Sequence, residues 1–481
     1  AIAGPEEWPA QKAANRLSRA CDWDAGSGLS EGDIFADLHL RPAVSLPVRK
    51  GGVPVVDDLP PPLEGATHRM RVERPYTLHG SLGPSAALAT WDGERLSITC
   101  HSQGVYPLRE SIADSLGLPT EAVEITHHPG PGCYGHNGAD DAAFEAALVA
   151  RAMPGTPILL KWTREDEHGW EPAAPAMAVE VTARVEQGRI TGWQGETRGD
   201  THRGRPRPGP DRAGPQRLLA NRFRAESLAP YTGTPTMNRH GGLHRNLDPV
   251  YDIPDRRLTK HLVPDGPLRS SALRCLGALS NIWAIEGLMD QIARDAEMDP
   301  IEFRLNHLAD PRAVAVLEVL RDQISGSTDG HGVAYGQYKN AQTRCAAAVD
   351  LSVTDAAEIR LHRIALVADA GRIVDEDGLR AQLEGGALQA ASWALFEEVR
   401  WDRDGVLTRD WESYPVLRFD NVPEISVALI DRPEDPSVGA GEASPPPTLA
   451  AIANAVFDAT GLRLTRLPFT PDALRRAALD A

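Results

Sequence analysis

Val438-Gly-Ala-Gly-Glu-Ala-Ser-Pro-Pro-Pro447 runs directly into the apolar stretch Thr448-Leu-Ala-Ala-Ile-Ala-Asn-Ala-Val-Phe457. Gly439 and Gly441 allow a sharp turn and close approach of the backbone to a ligand. Ser444 suits an N-cap with Pro445 behind it, so a helix is expected over about Pro446 to Thr460, stopped by Gly461. Glu442 then falls just ahead of a helix N-terminus. The helix dipole there favours a carboxylate, whereas burial in a cavity raises its pKa. A general base needs that balance; the plainer reading of Glu442 is a helix cap.

Three upstream segments have similar character. His128-Pro-Gly-Pro-Gly-Cys-Tyr-Gly-His-Asn-Gly138 lies between an expected strand (Ala122 to Thr126) and an expected helix (Asp140 to Met153). Such a turn aims several free N–H groups at one point, as an anion or cofactor requires, although an ordinary tight turn fits as well. Gln103 follows a strand at Leu96 to Thr99 and precedes a helix at Tyr106 to Leu116, placed either to meet a ligand or to cap that helix. Arg274, in Ser271-Ala-Leu-Arg-Cys-Leu-Gly277, is expected on the first turn of a long helix, Ala272 to Ala296, where its fork can grip a phosphate.

Between these segments the periodicities mix. Alternation predicts strands at Met70 to Arg74, Ala87 to Trp91 and Pro157 to Thr163, and a hairpin of Met177 to Val185 with Ile190 to Trp193. Later strands are expected at Ala346 to Val353, Glu358 to Val367, Val416 to Phe419 and Glu424 to Leu429, with a helix at Gly378 to Leu395. Asp299-Pro-Ile-Glu302 has the form of a capped helix start with a capping box. A strand end and a helix from Pro5 to Leu17 open the chain, and residues 24–66, rich in Gly, Pro and Asp, read as a connector. Strands and helices without strict βαβ alternation indicate an α+β, mixed α/β fold.

The 481 residues call for two or three domains, and the formal charge of −17 argues against nucleic acid. Arg203 to Arg212 is a basic exception, read as a Pro-stiffened solvated loop or a docking point for an acidic partner. Cys21, Cys100, Cys133, Cys275 and Cys345 form no CxxC pair, so no Fe–S cluster, haem attachment or disulfide framework is expected on this chain. His127 with His128, and His240 with His244, lack a third spaced ligand, so no protein-ligated metal is expected. No apolar run is long enough to span a membrane.

Taken together, Gly132 to Asp141, Trp162 to His168, Ser271 to Ala278, Asp299 to Leu305, Gln382 to Gly386 and Gly439 to Glu442 resemble one family in order and wording. It is the molybdenum-binding large subunit of the xanthine dehydrogenase and aldehyde oxidase family, and the wording is similar to the nicotinate dehydrogenase and isoquinoline 1-oxidoreductase branch. The resemblance covers roughly residues 66–480.

It implies two molybdopterin-binding domains, 66–325 and 326–481, the second carrying the catalytic Glu442, behind a segment 1–65 that holds the tail of a hammerhead-like region and the connector. Gln103, Cys133, Tyr134, Gly135, Arg274, Gln382, Gly385, Gly386 and Gly441 fall at cofactor-contacting positions, Gln382 to Gly386 in a loop, and Arg164 at a position able to face substrate. The implied cofactor is a molybdenum–molybdopterin cytosine dinucleotide, and the implied reaction is hydroxylation of an electron-poor carbon of an N-heteroaromatic compound with water-derived oxygen. A [2Fe–2S] small subunit is implied as electron acceptor. The family carries a longer N-terminal part than Ala1 to Asp24 supplies, so a separate chain or a cleaved segment is expected to provide it. The alternatives are an aldehyde oxidoreductase with the same machinery and an inactive assembly subunit, against which the intact Gly439 to Glu442 loop weighs. The bacterial cytoplasm is the expected compartment, with the periplasm after export of a folded complex as the other possibility.

Overall fold

The computed structural model describes residues 2–22, 28–324 and 329–480. Its centre is the helix Pro445–Thr460, whose residues from Pro445 to Val456 are all buried. Small residues at Ala450, Ala451, Ala453, Ala455 and Ala459 let neighbours come close. The strand Gly330–Gln337 lies so near that a Cβ on Gly332 would stand 2.2 Å from the Ala451 carbonyl oxygen. That strand begins a four-stranded sheet, followed in spatial order by Arg344–Val353, Ile359–Asp369 and Glu424–Leu429, the last pair parallel. On another side the Pro445–Thr460 helix packs on the helix Ala278–Asp295. One apolar core therefore joins Trp283 and Leu288 to Val333, Leu366 and Leu449.

A six-stranded mixed sheet holds the hairpin Met177–Glu186 and Arg189–Gly199 at its middle, with His68–Arg74 on one side and Asp255–Leu262 on the other. A separate four-stranded sheet, Val123–His127, Leu96–Cys100, Ala86–Trp91 and Ile158–Lys161, carries the helices Val105–Leu116 and Ala139–Ala152 over its own core. Gly117 and Gly461 end their helices in the left-handed conformation, as their positions predict.

Several expectations need correction. Residues 2–6 form no strand, and the first helix is Glu7–Ala20, with no buried residue. The supposed connector contains a helix, Ile34–Leu40, and the strands Val44–Arg49 and Val53–Pro54, which complete the six-stranded sheet; Pro47 pairs in register with Thr259. Its residues 24–27, and the domain break at 325/326, lie outside the described residues. The long helix starts at Ala278, because Cys275 and Leu276 take left-handed conformations, with φ of 74° and 50°. Arg274 consequently sits in a loop. Asp299 caps its helix as expected, but Glu302 pairs with Arg321 at 2.6 Å and closes no capping box. Val416 to Phe419 is not a strand: it is an extended segment running into a single 3-10 turn, Phe419–Asn421. Ser444 gives its hydroxyl to the Leu383 carbonyl at 2.7 Å, so it does not cap the final long helix.

Candidate active site

A cleft of about 910 Å³ opens between the Gly-rich turn, the 271–277 loop, the helix Glu376–Leu395 and the segment leading to Glu442. Gln103, Cys133, Tyr134, Gly135, Arg274, Gln382, Gly385, Gly441 and Glu442 all line it. The sequence therefore picked out positions from five separated segments that folding brings to one cavity.

Glu442 is partly sheltered, its side chain 32% exposed. One carboxylate oxygen accepts the Cys275 backbone N–H at 2.9 Å and lies 4.0 Å from the Arg245 guanidinium. The Tyr338 hydroxyl, which accepts from Arg245, donates to the same carboxylate. Burial first, and then the Glu442 charge, raises the Tyr338 phenol far above its ordinary range, so it stays a proton donor. Cys275, Leu276 and Lys339 all have positive φ, which places backbone strain on both sides of the carboxylate.

Arg274 does not reach a phosphate with a free fork. Its Nε donates to the Gly441 carbonyl at 2.5 Å, one terminal nitrogen to Gln382 O at 2.9 Å and the other to Gln389 Oε1 at 3.2 Å. It thereby ties the turn before Glu442 to the helix Glu376–Leu395. Gln382 to Gly386 lie inside that helix rather than in a loop. Gly385 faces open space, whereas a Cβ on Gly386 would meet Ser444 Oγ at 2.3 Å; Gly386 serves close packing and does not line the cleft.

On the opposite wall Gln103 does not cap its helix; its amide donates to the Cys133 carbonyl at 2.5 Å. Gly135 bridges to Leu273, and a Cβ there would stand 2.1 Å from Ala272 O, so only glycine permits this junction. Burial, then the Asp140 charge, pushes the Cys133 thiol up to about 11 and keeps it protonated. Arg164 is not brought to the cleft. Its guanidinium lies over the Trp411 ring, 4.4 Å from the centroid, and donates to Leu82 O.

Sequence reasoning passed over Arg205, Arg245, Tyr338 and Glu397. Arg205 belongs to the basic stretch at 203–212, and it lines the cleft and donates to Gly135 O. Glu397 is buried in the cleft wall, accepts from the Tyr414 hydroxyl at 2.8 Å, and is pushed up to about 7 by burial. Arg245 and Tyr338 carry no motif-like neighbours, so only the fold reveals their meeting with Glu442.

The cleft has the chemistry of a site for a polar, planar cofactor. The Gln382 carboxamide and the Gln389 amino group make no hydrogen bond among the described residues, and Gly385 leaves room beside them for a ring edge. Among the described residues no three His, Cys, Asp or Glu side chains converge as a metal site, and no helix is long and apolar enough to cross a membrane.

The fold agrees with the known proteins the chain resembles. Residues 60–202 and 224–308 match one molybdopterin cofactor-binding domain family and residues 284–423 match a second. The chain is 32% identical over 426 residues to a nicotinate dehydrogenase subunit of Pseudomonas putida, covering 84% of this chain and 34% of that protein. It is 29% identical over 351 residues to the beta subunit of isoquinoline 1-oxidoreductase of Brevundimonas diminuta, covering 71% of this chain and 42% of the relative. Quinoline 2-oxidoreductase from Pseudomonas putida 86 shares the fold, with a TM-score of 0.71, 14% identity, and coverage of 87% of this chain and 76% of that one. These relatives define a class of molybdopterin-binding oxidoreductase subunits. The chain belongs to the molybdenum-binding subunits of the xanthine dehydrogenase family, and it spans between a third and a half of the length of the two sequence relatives.

Proposed function

We propose that this chain is the catalytic part of a molybdenum hydroxylase acting on an N-heteroaromatic, nicotinate-like compound. The observation that carries the reading is the convergence of Glu442, the 132–135 turn, Gln103 and Gln382 on one cleft. A molybdenum–pterin group supplies two-electron redox chemistry when bound, and we assign it the cytosine dinucleotide form. Gln382, Gln389 and the backbone around Gly135 and Gly441 would hold it, with Arg274 fixing the geometry of that wall.

In net terms, R–H and water give R–OH, two protons and two electrons. Glu442 serves as general base for a proton of the water-derived oxygen nucleophile. Its three neighbours, the Cys275 N–H, the Tyr338 hydroxyl and Arg245, hold the carboxylate in one orientation. The electrons pass to a [2Fe–2S] partner subunit. Residues 66–325 and 326–481 serve as the two cofactor-binding domains, and the bacterial cytoplasm is the assigned compartment. Mass spectrometry with metal analysis of the native complex tests the reading. Molybdenum, a pterin cytosine dinucleotide and an Fe–S chain in near-equal amounts are expected, and a complex without molybdenum overturns it.

A further inference from the structure

Three arginines line the cleft, and they differ in what they touch. Arg205 donates to Gly135 O and Gln103 Oε1, while Arg274 is engaged by Gly441, Gln382 and Gln389. Both are held by protein acceptors. Among the described residues the Arg418 guanidinium has no acceptor and no carboxylate partner, not even the neighbouring Asp420.

The backbone that presents Arg418 is nevertheless fixed. Leu417 N–H donates to Ser392 Oγ at 2.9 Å, and Asn421 N–H donates to the Arg418 carbonyl at 2.9 Å. Four residues before Arg418, the buried Tyr414 hydroxyl accepts Leu78 N–H and donates to Glu397, each at 2.8 Å. Beside it Phe419 is fully exposed yet borders the same cleft. A large aromatic ring left wholly in water, one residue along the chain from a guanidinium with no acceptor among the described residues, and lining the same cleft, has the composition of a recognition surface for a flat ring that carries negative charge. The chain's −17 formal charge repels an anion at long range, so an anionic ligand needs a local cation to enter.

We infer that Arg418, with the Phe419 ring beside it, recognises a carboxylate on a planar aromatic molecule entering the cleft. The inference rests on the hydroxylase reading for its reaction but not for its test. Benzoate and benzamide, two flat probes of nearly one shape, are titrated calorimetrically into the native complex with no turnover. The native complex is expected to prefer benzoate by about tenfold or more. Arg418→Gln should remove that preference and leave benzamide within about twofold, while Arg418→Lys should keep part of it. Because Arg418 is exposed and, among the described residues, without side-chain partners, neither variant should disturb folding. Equal binding of the two probes to the native complex overturns the assignment, as does absence of benzoate binding because a partner's acidic group already covers Arg418. Benzoate affinity unchanged in Arg418→Gln overturns it too. Failure of the hydroxylase reading shows separately, as absence of molybdenum from the same preparation.

Discussion

The backbone amide of Cys275 donates to the carboxylate of Glu442 at 2.9 Å, from a residue held at φ +74°. A non-glycine residue there costs on the order of 1 kcal/mol. The surroundings that impose the strain are visible: the buried Arg74 holds the Leu276 carbonyl at 3.2 Å, and a Cβ on Gly277 would stand 2.2 Å from Leu243 O. The strained turn is thus set from behind, and its product is an N–H aimed at the carboxylate.

Tyr338→Phe removes the hydroxyl between Arg245 and Glu442 while keeping the ring. A hydrogen bond to a charged group contributes about 1.5–3 kcal/mol. We expect kcat to fall roughly 10- to 100-fold with KM within about threefold, since the phenol touches the base and not the cleft. Steady-state kinetics on the assembled complex decides. A change confined to KM would remove Tyr338 from the positioning of Glu442.

Arg274→Lys keeps the charge but loses the planar fork, so one ammonium cannot serve Gly441 O, Gln382 O and Gln389 Oε1 in their present places. Losing such partly exposed hydrogen bonds costs about 0.5–1.5 kcal/mol each. Lower molybdenum per chain and a melting temperature down by several degrees are expected. Full metal content with unchanged melting would contradict the clamp.

Glu397 gives a pH test. Burial raises its pKa from 4.5 to about 7, so the folded protein holds this proton more tightly than the unfolded chain. The resulting stabilisation is complete below about pH 4.5 and is lost as pH rises through about 7. Glu397→Gln imitates the neutral acid and can still accept from Tyr414. Its melting temperature should match that of the parent near pH 5 and exceed it by a few degrees at pH 8. Parallel melting curves across that range would mean that Glu397 does not titrate there, contrary to a pKa near 7.

Local signals made most of the elements legible. The helix Pro445–Thr460, the hairpin at 177–199 and the glycine-terminated helix at 105–116 follow from periodicity and capping residues alone. Asp255–Leu262 was hidden because its buried half includes Lys260 and His261; Lys260 is accommodated by giving a hydrogen bond to Thr236 O. The start of the helix at Ala278 was misplaced because apolar, helix-favouring residues at 272–276 are overruled by contacts that arrive only with the fold. In the site, Glu442, Gln103 and the 132–135 turn were readable because glycines mark them. Arg245 and Tyr338 were not, since their role exists only where distant segments meet. Arg164 read as substrate-facing, but an aromatic partner at Trp411, far along the chain, holds it elsewhere.

Glu442→Gln in the assembled, cofactor-loaded complex tests the central claim most directly. The change keeps the shape and the contact to Cys275 N–H but removes the base. General-base catalysis is worth about 10²–10⁴-fold, so kcat should fall by that factor while molybdenum and pterin content stay at parent levels. Retention of most of the activity at full cofactor content would contradict the account.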